Sequence, residues 1–118
     1  MNPSNSLTNP NPERCKEARK KAKLSPKALG VRIGIDESSA SPRMNQYEKG
    51  KHTPDISTLK SIADELGVPL SYFFCEDEVS SELAVNLNKL SETDKQKVLE
   101  VTVRLIEESF ENSCPKGD

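Results

Sequence analysis

The sequence predicts an all-α fold, with five short helices in one small domain over residues 12–74 and further helices after it. Apolar side chains recur at spacings of three and four residues, and no stretch of that domain alternates apolar and polar residues as a half-buried strand would. Capping residues, prolines and glycines stand at the ends of these stretches, where they start and stop helices. A chain of 118 residues suits one such domain with an appendage.

The first two helices are predicted from their starting residues. Asn11 is expected to cap the first helix, with Pro12 as its first residue, and Ser25 and Pro26 occupy the same positions in the second. Gly34 can close the second helix in a left-handed conformation. The residues expected on the apolar stripes of these helices are Cys15, Ala18, Ala22, Leu29 and Ile33.

A third helix is predicted to end at Gly50, with Met44 and Tyr47 on its inner face. Since a proline inside a helix removes a hydrogen bond and clashes one turn back, Pro42 is expected in the first turn. The cap is then expected among three serines, which are Ser38, Ser39 and Ser41.

Two further helices complete the predicted domain. The fourth is expected to start after a cap at Thr53 or Asp55 and to end at Gly67. A short fifth helix follows from Pro69. The apolar residues that these two helices are expected to bring to the core are Ile56, Leu59, Ile62, Ala63, Leu66, Leu70, Phe73 and Phe74.

Residues 75–111 are predicted to form an acidic helical region for dimerisation. Its last helix opens with a cap formed by Ser91 and Asp94, and its apolar stripe is wider than one partner helix needs. The alternative is that these segments fold back on their own domain. The residues expected in the dimer contact are Leu83, Leu87, Val98, Leu99, Val103, Leu105, Ile106 and Phe110. Residues 1–11 are expected to be a disordered arm and residues 112–118 a frayed tail.

Charge is divided between the two halves of the chain. Residues 1–54 hold 11 Lys and Arg against 5 Asp and Glu, whereas residues 55–118 hold 6 against 14, which together give the net charge of −2. A basic half suggests a surface that faces a polyanion, whereas an acidic half is repelled by one.

Several classes of function are not expected. Three cysteines far apart and a single histidine supply a four-ligand metal site poorly, so neither a metal nor another cofactor is expected. No signal peptide and no run of about 18 apolar residues is present, so the expectation is a cytoplasmic protein without membrane contact. No Gly-rich phosphate loop appears, and Ser91 and Lys95 are better explained as a cap and an exposed charge, so an enzyme is not expected.

Residues 24–50, LSPKALGVRIGIDESSASPRMNQYEKG, contain two predicted helices joined by a glycine turn and followed by Glu-x-Gly. This run resembles the lambda-repressor-like helix-turn-helix family (Cro/repressor, xenobiotic-response-element type), and the resemblance covers residues 12–74. GIDESSASPRMNQYEKGKHTPD followed by LGVPLSYFF is similar to restriction–modification controller proteins and prophage-type repressors. The resemblance implies a five-helix DNA-binding domain, a close helix crossing at Gly30, and a largely buried ion pair between Arg19 and Glu48.

The sequence departs from the family pattern in its second and third helices. Pro26 stands where the family usually has a phosphate-contacting Gln, so Lys27 or the amides at that helix end would substitute. Ala28 replaces a frequent acidic residue, and the span from Gly34 to Glu48 is longer than in the shortest family members.

The resemblance places the third helix in the major groove of DNA, with its N-terminal part toward the bases. Arg43 can offer two donors to guanine, and Asn45 or Gln46 can pair with adenine. The residues expected to contact bases are Ser38, Ser39, Ser41, Arg43, Asn45 and Gln46. The residues expected to contact phosphates, which add affinity without sequence information, are Ser25, Lys27, Arg32, Lys49, Lys51 and His52.

These expectations describe a transcriptional regulator that binds a palindromic operator as a homodimer, with recognition helices about 34 Å apart. Control of its own gene fits the controller and repressor subgroups. The alternative is a module that uses the same fold to bind a protein, as an antitoxin or a coactivator. The acidic half also leaves room for a protein partner such as RNA polymerase.

Overall fold

The computed structural model describes residues 10–113, and this part of the chain is all helical, as predicted. In chain order its elements are α1 (Pro12–Lys21), α2 (Pro26–Arg32), α3 (Glu37–Glu48), α4 (Ile56–Leu66), a 3₁₀ helix (Leu70–Phe74), α5 (Glu78–Lys89) and α6 (Glu92–Ser113). Most of the predicted N-terminal arm, most of the predicted tail and Cys114 lie outside the described residues.

Contacts divide the chain into two compact units, residues 1–88 and residues 89–118. The first unit holds α1 to α4, the 3₁₀ helix and all but the last residue of α5, and the second holds α6. This boundary lies one helix later than the start of the predicted dimerisation region at Cys75.

The predicted N-caps are observed at three helices. The side chains of Asn11, Ser25 and Asp55 accept hydrogen bonds from the backbone N–H groups of Glu13, Ala28 and Thr58, at 3.0, 3.0 and 2.8 Å. Of the two candidates for α4, Asp55 is therefore the cap. Each bond satisfies a backbone donor that the first turn of a helix leaves without an intrahelical partner.

The end of α1 forms a turn that the sequence did not indicate. Lys23 adopts a positive φ of 60°, and its N–H donates to the Lys20 carbonyl while the N–H of Leu24 donates to the Arg19 carbonyl. This pair of bonds is the Schellman motif, which usually has glycine at the left-handed position. Because the helix ends before this turn, Ala22 is exposed, and its prediction on the apolar stripe is wrong.

The prediction for the start of α3 is also wrong. α3 begins at Glu37, capped by Asp36, so Pro42 lies in the second turn rather than the first and none of the three serines is the cap. Ala40, in the turn before Pro42, is fully buried, so packing holds this turn helical. Pro42 and Ser38 are both exposed, so water can bind the Ser38 carbonyl that lacks its usual donor.

The core of the first unit is formed by α1 to α4 and the 3₁₀ helix. Its buried side chains are Cys15, Ala18, Leu29, Met44, Leu59, Ile62, Ala63, Tyr72 and Phe73. Ile56 and Phe74 were expected there but are 62% and 38% exposed. Ile56 is the first residue of α4, and Phe74 stands three residues after the exposed Ser71, on the same side of a helix with three residues per turn.

Arg14 is a buried charge that links α1 to α5. Its side chain is 2% exposed, and its Nε donates to the Cys75 carbonyl at 3.0 Å while its Nη1 donates to Glu78 at 2.8 Å. These bonds hold the start of α5 against α1. The residues of α5 that pack inward are Ser81, Ala84 and Val85.

The two ends of the predicted DNA-binding domain meet. The backbone N–H of Asn11 donates to the carbonyl of Phe73 at 2.7 Å, which connects the residue before α1 to the 3₁₀ helix. Asn11, which falls within the predicted N-terminal arm, is therefore hydrogen-bonded to the folded domain.

α6 is a helix of 22 residues, about 33 Å long at the usual rise per residue. The Ser91 hydroxyl accepts from the N–H of Asp94 at 3.1 Å, which confirms the predicted cap. Leu99, Val103 and Ile106 recur along one side at spacings of four and three residues and are 54%, 45% and 67% exposed. Across the described residues, no helix combines the length and the apolar character needed to cross a membrane.

Candidate DNA-binding surface

α2 and α3 approach each other most closely at Gly30. A Cβ at this position would lie 2.8 Å from the Cβ and 3.1 Å from the Cα of Ala40, so only glycine fits without a shift of α3. Gly34, with a φ of +99°, turns the chain from α2 toward α3, and the N–H of Ile35 donates to the Gly30 carbonyl at 2.9 Å. The predicted close crossing and glycine turn are both confirmed, and together they set the angle between the two helices.

Arg19 fixes the other end of α3. Its guanidinium donates from Nε to Oε2 of Glu48 at 2.5 Å, from Nη2 to Oε1 at 3.0 Å, and from Nη1 to the Leu24 carbonyl at 2.8 Å. The hydrogen bond to Glu48 raises the pKa of Arg19, although burial acts against it. The ion pair implied by the resemblance is therefore present and holds the end of α3 on α1.

The outward face of α3 carries Ser38, Pro42 and Gln46, which are four residues apart and all exposed. The Ser38 hydroxyl donates to Oδ2 of the capping Asp36 at 2.5 Å, and this bond lowers the pKa of Asp36. Gln46 lies at the C-terminal end of this face, two residues before α3 ends, and its side chain has both an amide donor and an acceptor. Pro42 separates these two polar groups by a ring with no hydrogen-bonding group.

The remaining base-contact candidates flank that face. Arg43 is exposed and lines a cleft between α3 and α4 together with the half-buried Ser39. Ser41 and Asn45 are half-buried as well, so less of each side chain faces solvent than at Arg43. The structure thus brings all six candidates onto one helix, but it distributes them over a wide arc.

The cleft beside Arg43 also includes residues that the sequence did not single out. Ser57 and Ser61 of α4 are exposed along it, one turn apart. The Ser57 hydroxyl can bind a phosphate oxygen or a base edge as those of the α3 serines can. The Ser61 hydroxyl donates to the Ser57 carbonyl at 3.2 Å and would have to release it to bind a phosphate. In the sequence they are simply the polar positions of an amphipathic helix, so no signal distinguished them.

A basic loop continues from the end of α3. Lys49, Lys51 and His52 are all exposed, and the turn between them is made by Gly50 with a φ of +76°. The N–H groups of Lys51 and His52 both donate to the Gln46 carbonyl, at 3.0 and 3.3 Å. The loop is therefore attached directly to the last turn of α3, and two cations and an imidazole lie next to the outward face of the helix.

The phosphate candidates on α2 are less available. Lys27 lies 3.6 Å from a carboxylate oxygen of Glu37, and Arg32 lies 3.6 Å from one of Glu65. Exposed pairs of this kind are worth little, so DNA could displace both carboxylates. The Ser25 hydroxyl already accepts from Ala28, and it remains exposed at the N-terminus of α2.

The described residues show no cluster that could hold a metal ion. Burial raises the pKa of the Cys15 thiol to about 12, and the nearby Glu48 carboxylate acts in the same direction. Cys15 is therefore a protonated core residue at neutral pH.

α2 and α3 cross closely at Gly30, and α3 has an exposed polar face beside a basic loop. These features define a helix-turn-helix domain of the kind that binds DNA. The helix-turn-helix family model matches residues 16–73. The crystal structure of the transcriptional regulator BswR is similar, with 38% sequence identity, a TM-score of 0.71, and coverage of 82% of this chain and 92% of that chain. A comparison with curated proteins finds no match. The chain belongs to the lambda-repressor-like helix-turn-helix family of DNA-binding transcriptional regulators.

Proposed function

We propose that the protein regulates transcription as a homodimer that binds a palindromic operator, with α3 of each copy in the major groove. The observation that carries this proposal is the placement of α3. Its inner side is anchored by Gly30 at one end and Arg19 at the other, so Gln46 and Arg43 are displayed on a rigid support. Rigid display of a few donors and acceptors is what direct readout of base edges requires.

The proposed roles follow from exposure. Arg43 offers two parallel donors to guanine, and Gln46 offers a donor and an acceptor to adenine. Ser38 at the first turn can reach a base edge or a phosphate, while Pro42 contacts only apolar groups such as the thymine methyl. The half-buried candidates, Ser39, Ser41 and Asn45, contribute at the edges of this contact.

Lys49, Lys51 and His52 are proposed to contact phosphates beside the groove. They are exposed on a loop that hydrogen-bonds to the Gln46 carbonyl, so they meet the backbone in a fixed register with the base contacts. Lys27, Arg32 and Ser25 would contact the backbone from α2 once their carboxylate partners are released. Such contacts give affinity that falls steeply with salt.

α6 is proposed to pair two copies of the chain. Leu99, Val103 and Ile106 repeat in the four-and-three spacing of a coiled-coil seam, and each is more than two fifths exposed. Exposure of such a row of apolar side chains to water is unfavourable, and pairing of two helices lowers the free energy because it removes this surface from water. The further residues proposed for this contact are Val98, Leu105 and Phe110 on α6, with Leu83 and Leu87 on α5.

A second candidate is a module that binds a protein partner. Val79 and Leu83 are one turn apart on α5 and are 68% and 53% exposed, so the first unit has an apolar surface of its own. An antitoxin or a coactivator would use such a surface to bind a protein. For a coactivator, the acidic half of the chain would fit RNA polymerase as that protein.

The testing experiment is a binding titration of the full chain with a duplex from upstream of its own gene and with a random duplex, over a series of salt concentrations. We expect two copies per operator, binding at least about 1000-fold tighter than to the random duplex, and a linear fall of log affinity with log salt. Equal affinity for both duplexes would contradict sequence-specific binding to that operator. No binding to either at low salt would favour the partner-binding module.

A further inference from the structure

A half-open apolar pocket lies behind the loop that follows α3. It has a volume of about 150 Å³ and is enclosed by residues from the start of α1, the end of α3, the loop at residues 50–54, α4 and the 3₁₀ helix. The side chains that matter for its chemistry are Pro12, Cys15, Tyr47, His52, Thr53 and Phe73. Protein interiors are packed as densely as organic crystals, so a space of this size beside the core can take another molecule.

The lining of the pocket matches one class of ligand. The half-buried Tyr47 presents an aromatic ring and Pro12 an aliphatic ring, while the buried Phe73 and Cys15 close the inner end, where the Cys15 thiol is uncharged at neutral pH. Apolar cavities of about 150 Å³ are large enough for benzene. His52 and Thr53 are exposed, so the polar groups lie at the outer end of the pocket and the apolar groups at the inner end.

We propose that this pocket binds a small uncharged aromatic molecule and that the bound molecule weakens DNA binding. The ring would lie against Phe73 and Cys15, and one polar group would face His52 and Thr53. The ligand class follows from the size and lining of the pocket alone, whereas the effect on DNA rests on the proposed function.

His52 connects the pocket to the DNA-binding surface. It lines the pocket and also belongs to the loop proposed to contact phosphates. A ring packed against its imidazole would hold that side chain at the pocket mouth and away from DNA. The loop donates two hydrogen bonds to the Gln46 carbonyl, so a shift of the loop also reaches a residue proposed to read bases. Thermodynamic linkage requires the converse, that DNA weakens ligand binding by the same factor.

The experiment uses the full chain labelled with ¹⁵N, with phenol and benzene as the probes. We expect saturable shifts of the backbone amide signals of Cys15, Gly50 and Thr53, with small changes elsewhere. Thr53→Trp should fill the pocket mouth with an indole ring and weaken phenol binding at least about tenfold. Lys60→Trp is the matched control, because Lys60 is exposed on α4 and does not line the pocket. Circular dichroism verifies that both variants are folded.

The second part measures operator affinity with and without saturating phenol. The dissociation constant should rise at least about fivefold for the wild type, the lower end of ordinary allosteric coupling, and stay unchanged for Thr53→Trp. Shifts that do not saturate, or that Thr53→Trp leaves intact, would overturn the ligand site. Saturable binding with unchanged DNA affinity would overturn the coupling. If the chain bound no DNA, the proposed function would fail while the amide shifts still decided the ligand site.

Discussion

Arg19 and Glu48 join the last turn of α1 to the last residue of α3 through two parallel hydrogen bonds, of 2.5 and 3.0 Å. Their side chains are only 10% and 6% exposed. Replacing Arg19 with methionine therefore leaves a carboxylate with little water and no cation, and we expect a loss of about 3–5 kcal/mol in the free energy of unfolding. Urea unfolding at pH 7 measures this loss.

The matched control is the double variant Arg19→Met with Glu48→Leu. Removal of both charges leaves no unpaired group, so the double variant should be more stable than Arg19→Met alone. If the single variant were as stable as the double one, the ion pair would have no structural role.

A methyl group at position 30 should separate the two helices of the motif. Gly30→Ala places a Cβ within 2.8 Å of the Ala40 Cβ, and we expect a destabilisation of about 1–3 kcal/mol with weaker operator binding. Adding Ala40→Gly removes the contacting methyl and should recover part of the operator binding. It should not recover the stability, because glycine costs about 1 kcal/mol relative to alanine within a helix and the Ala40 Cα and Met44 Cγ remain 3.1 Å away. A Gly30→Ala variant with unchanged thermal unfolding would show that α3 shifts without cost.

Base readout and phosphate contact should differ in their response to salt. Arg43→Ala and Gln46→Ala should each cost about 1–3 kcal/mol on the operator and relax the preference at one base pair. Lys51→Ala should weaken binding to the operator and to random DNA alike. It should also reduce the slope of log affinity against log salt concentration by about 0.9 in magnitude. Lys97→Ala on α6 is the charge-matched control. A uniform loss with Arg43→Ala would assign that residue to phosphate.

Charge on the apolar side of α6 should dissociate the dimer. Ile106→Glu would bury one carboxylate from each copy in the proposed seam, and we expect the dimer dissociation constant, measured by sedimentation equilibrium, to rise at least about 100-fold. Gln96→Glu adds the same charge at an exposed polar position of the same helix. A dimer that survived Ile106→Glu would locate the contact elsewhere.

Glu17 should contribute to acid sensitivity. Burial alone would raise its pKa, but the hydrogen bond from the Tyr72 hydroxyl and the charges of Arg14 and Lys21 outweigh burial and lower it below 4.5. A lowered pKa in the folded state means stability that is complete above the unfolded value and lost as pH falls through the folded value. Glu17→Gln should therefore lose less stability than the wild type between pH 6 and about pH 3. Urea midpoints across this range that run parallel would contradict the prediction.

Capping and turn residues in the sequence predicted much of this fold, because the effect of each depends only on the residues next to it. Caps at Asn11, Ser25 and Asp55 need only the following turn, and the left-handed turn at Gly34 needs only a missing Cβ. Pro42 misled the prediction, since the rule against interior prolines ignores how firmly the buried Ala40 holds the preceding turn.

Long-range burial could not be predicted in the same way. In the sequence, Arg14 resembles the other charged residues of a basic helix, and its pairing with the nearby Glu17 at 3.3 Å would not by itself bury it. The distant Glu78 and the Cys75 carbonyl supply the contacts that accompany its burial. The candidate surface was predictable as a set of residues on one helix. The division into an outward face and a cleft shared with Ser57 and Ser61 depends on how α4 packs beside α3.

The hydrogen bond from Asn11 to the Phe73 carbonyl brings the entry and the exit of the DNA-binding domain to one place. A domain whose two ends lie close together can be inserted into a surface loop of a host protein without distorting the domain or the host. Such an insertion would have to include α5 as the segment that leaves the domain, because Glu78 pairs with the buried Arg14 and Ala84 and Val85 pack on the core.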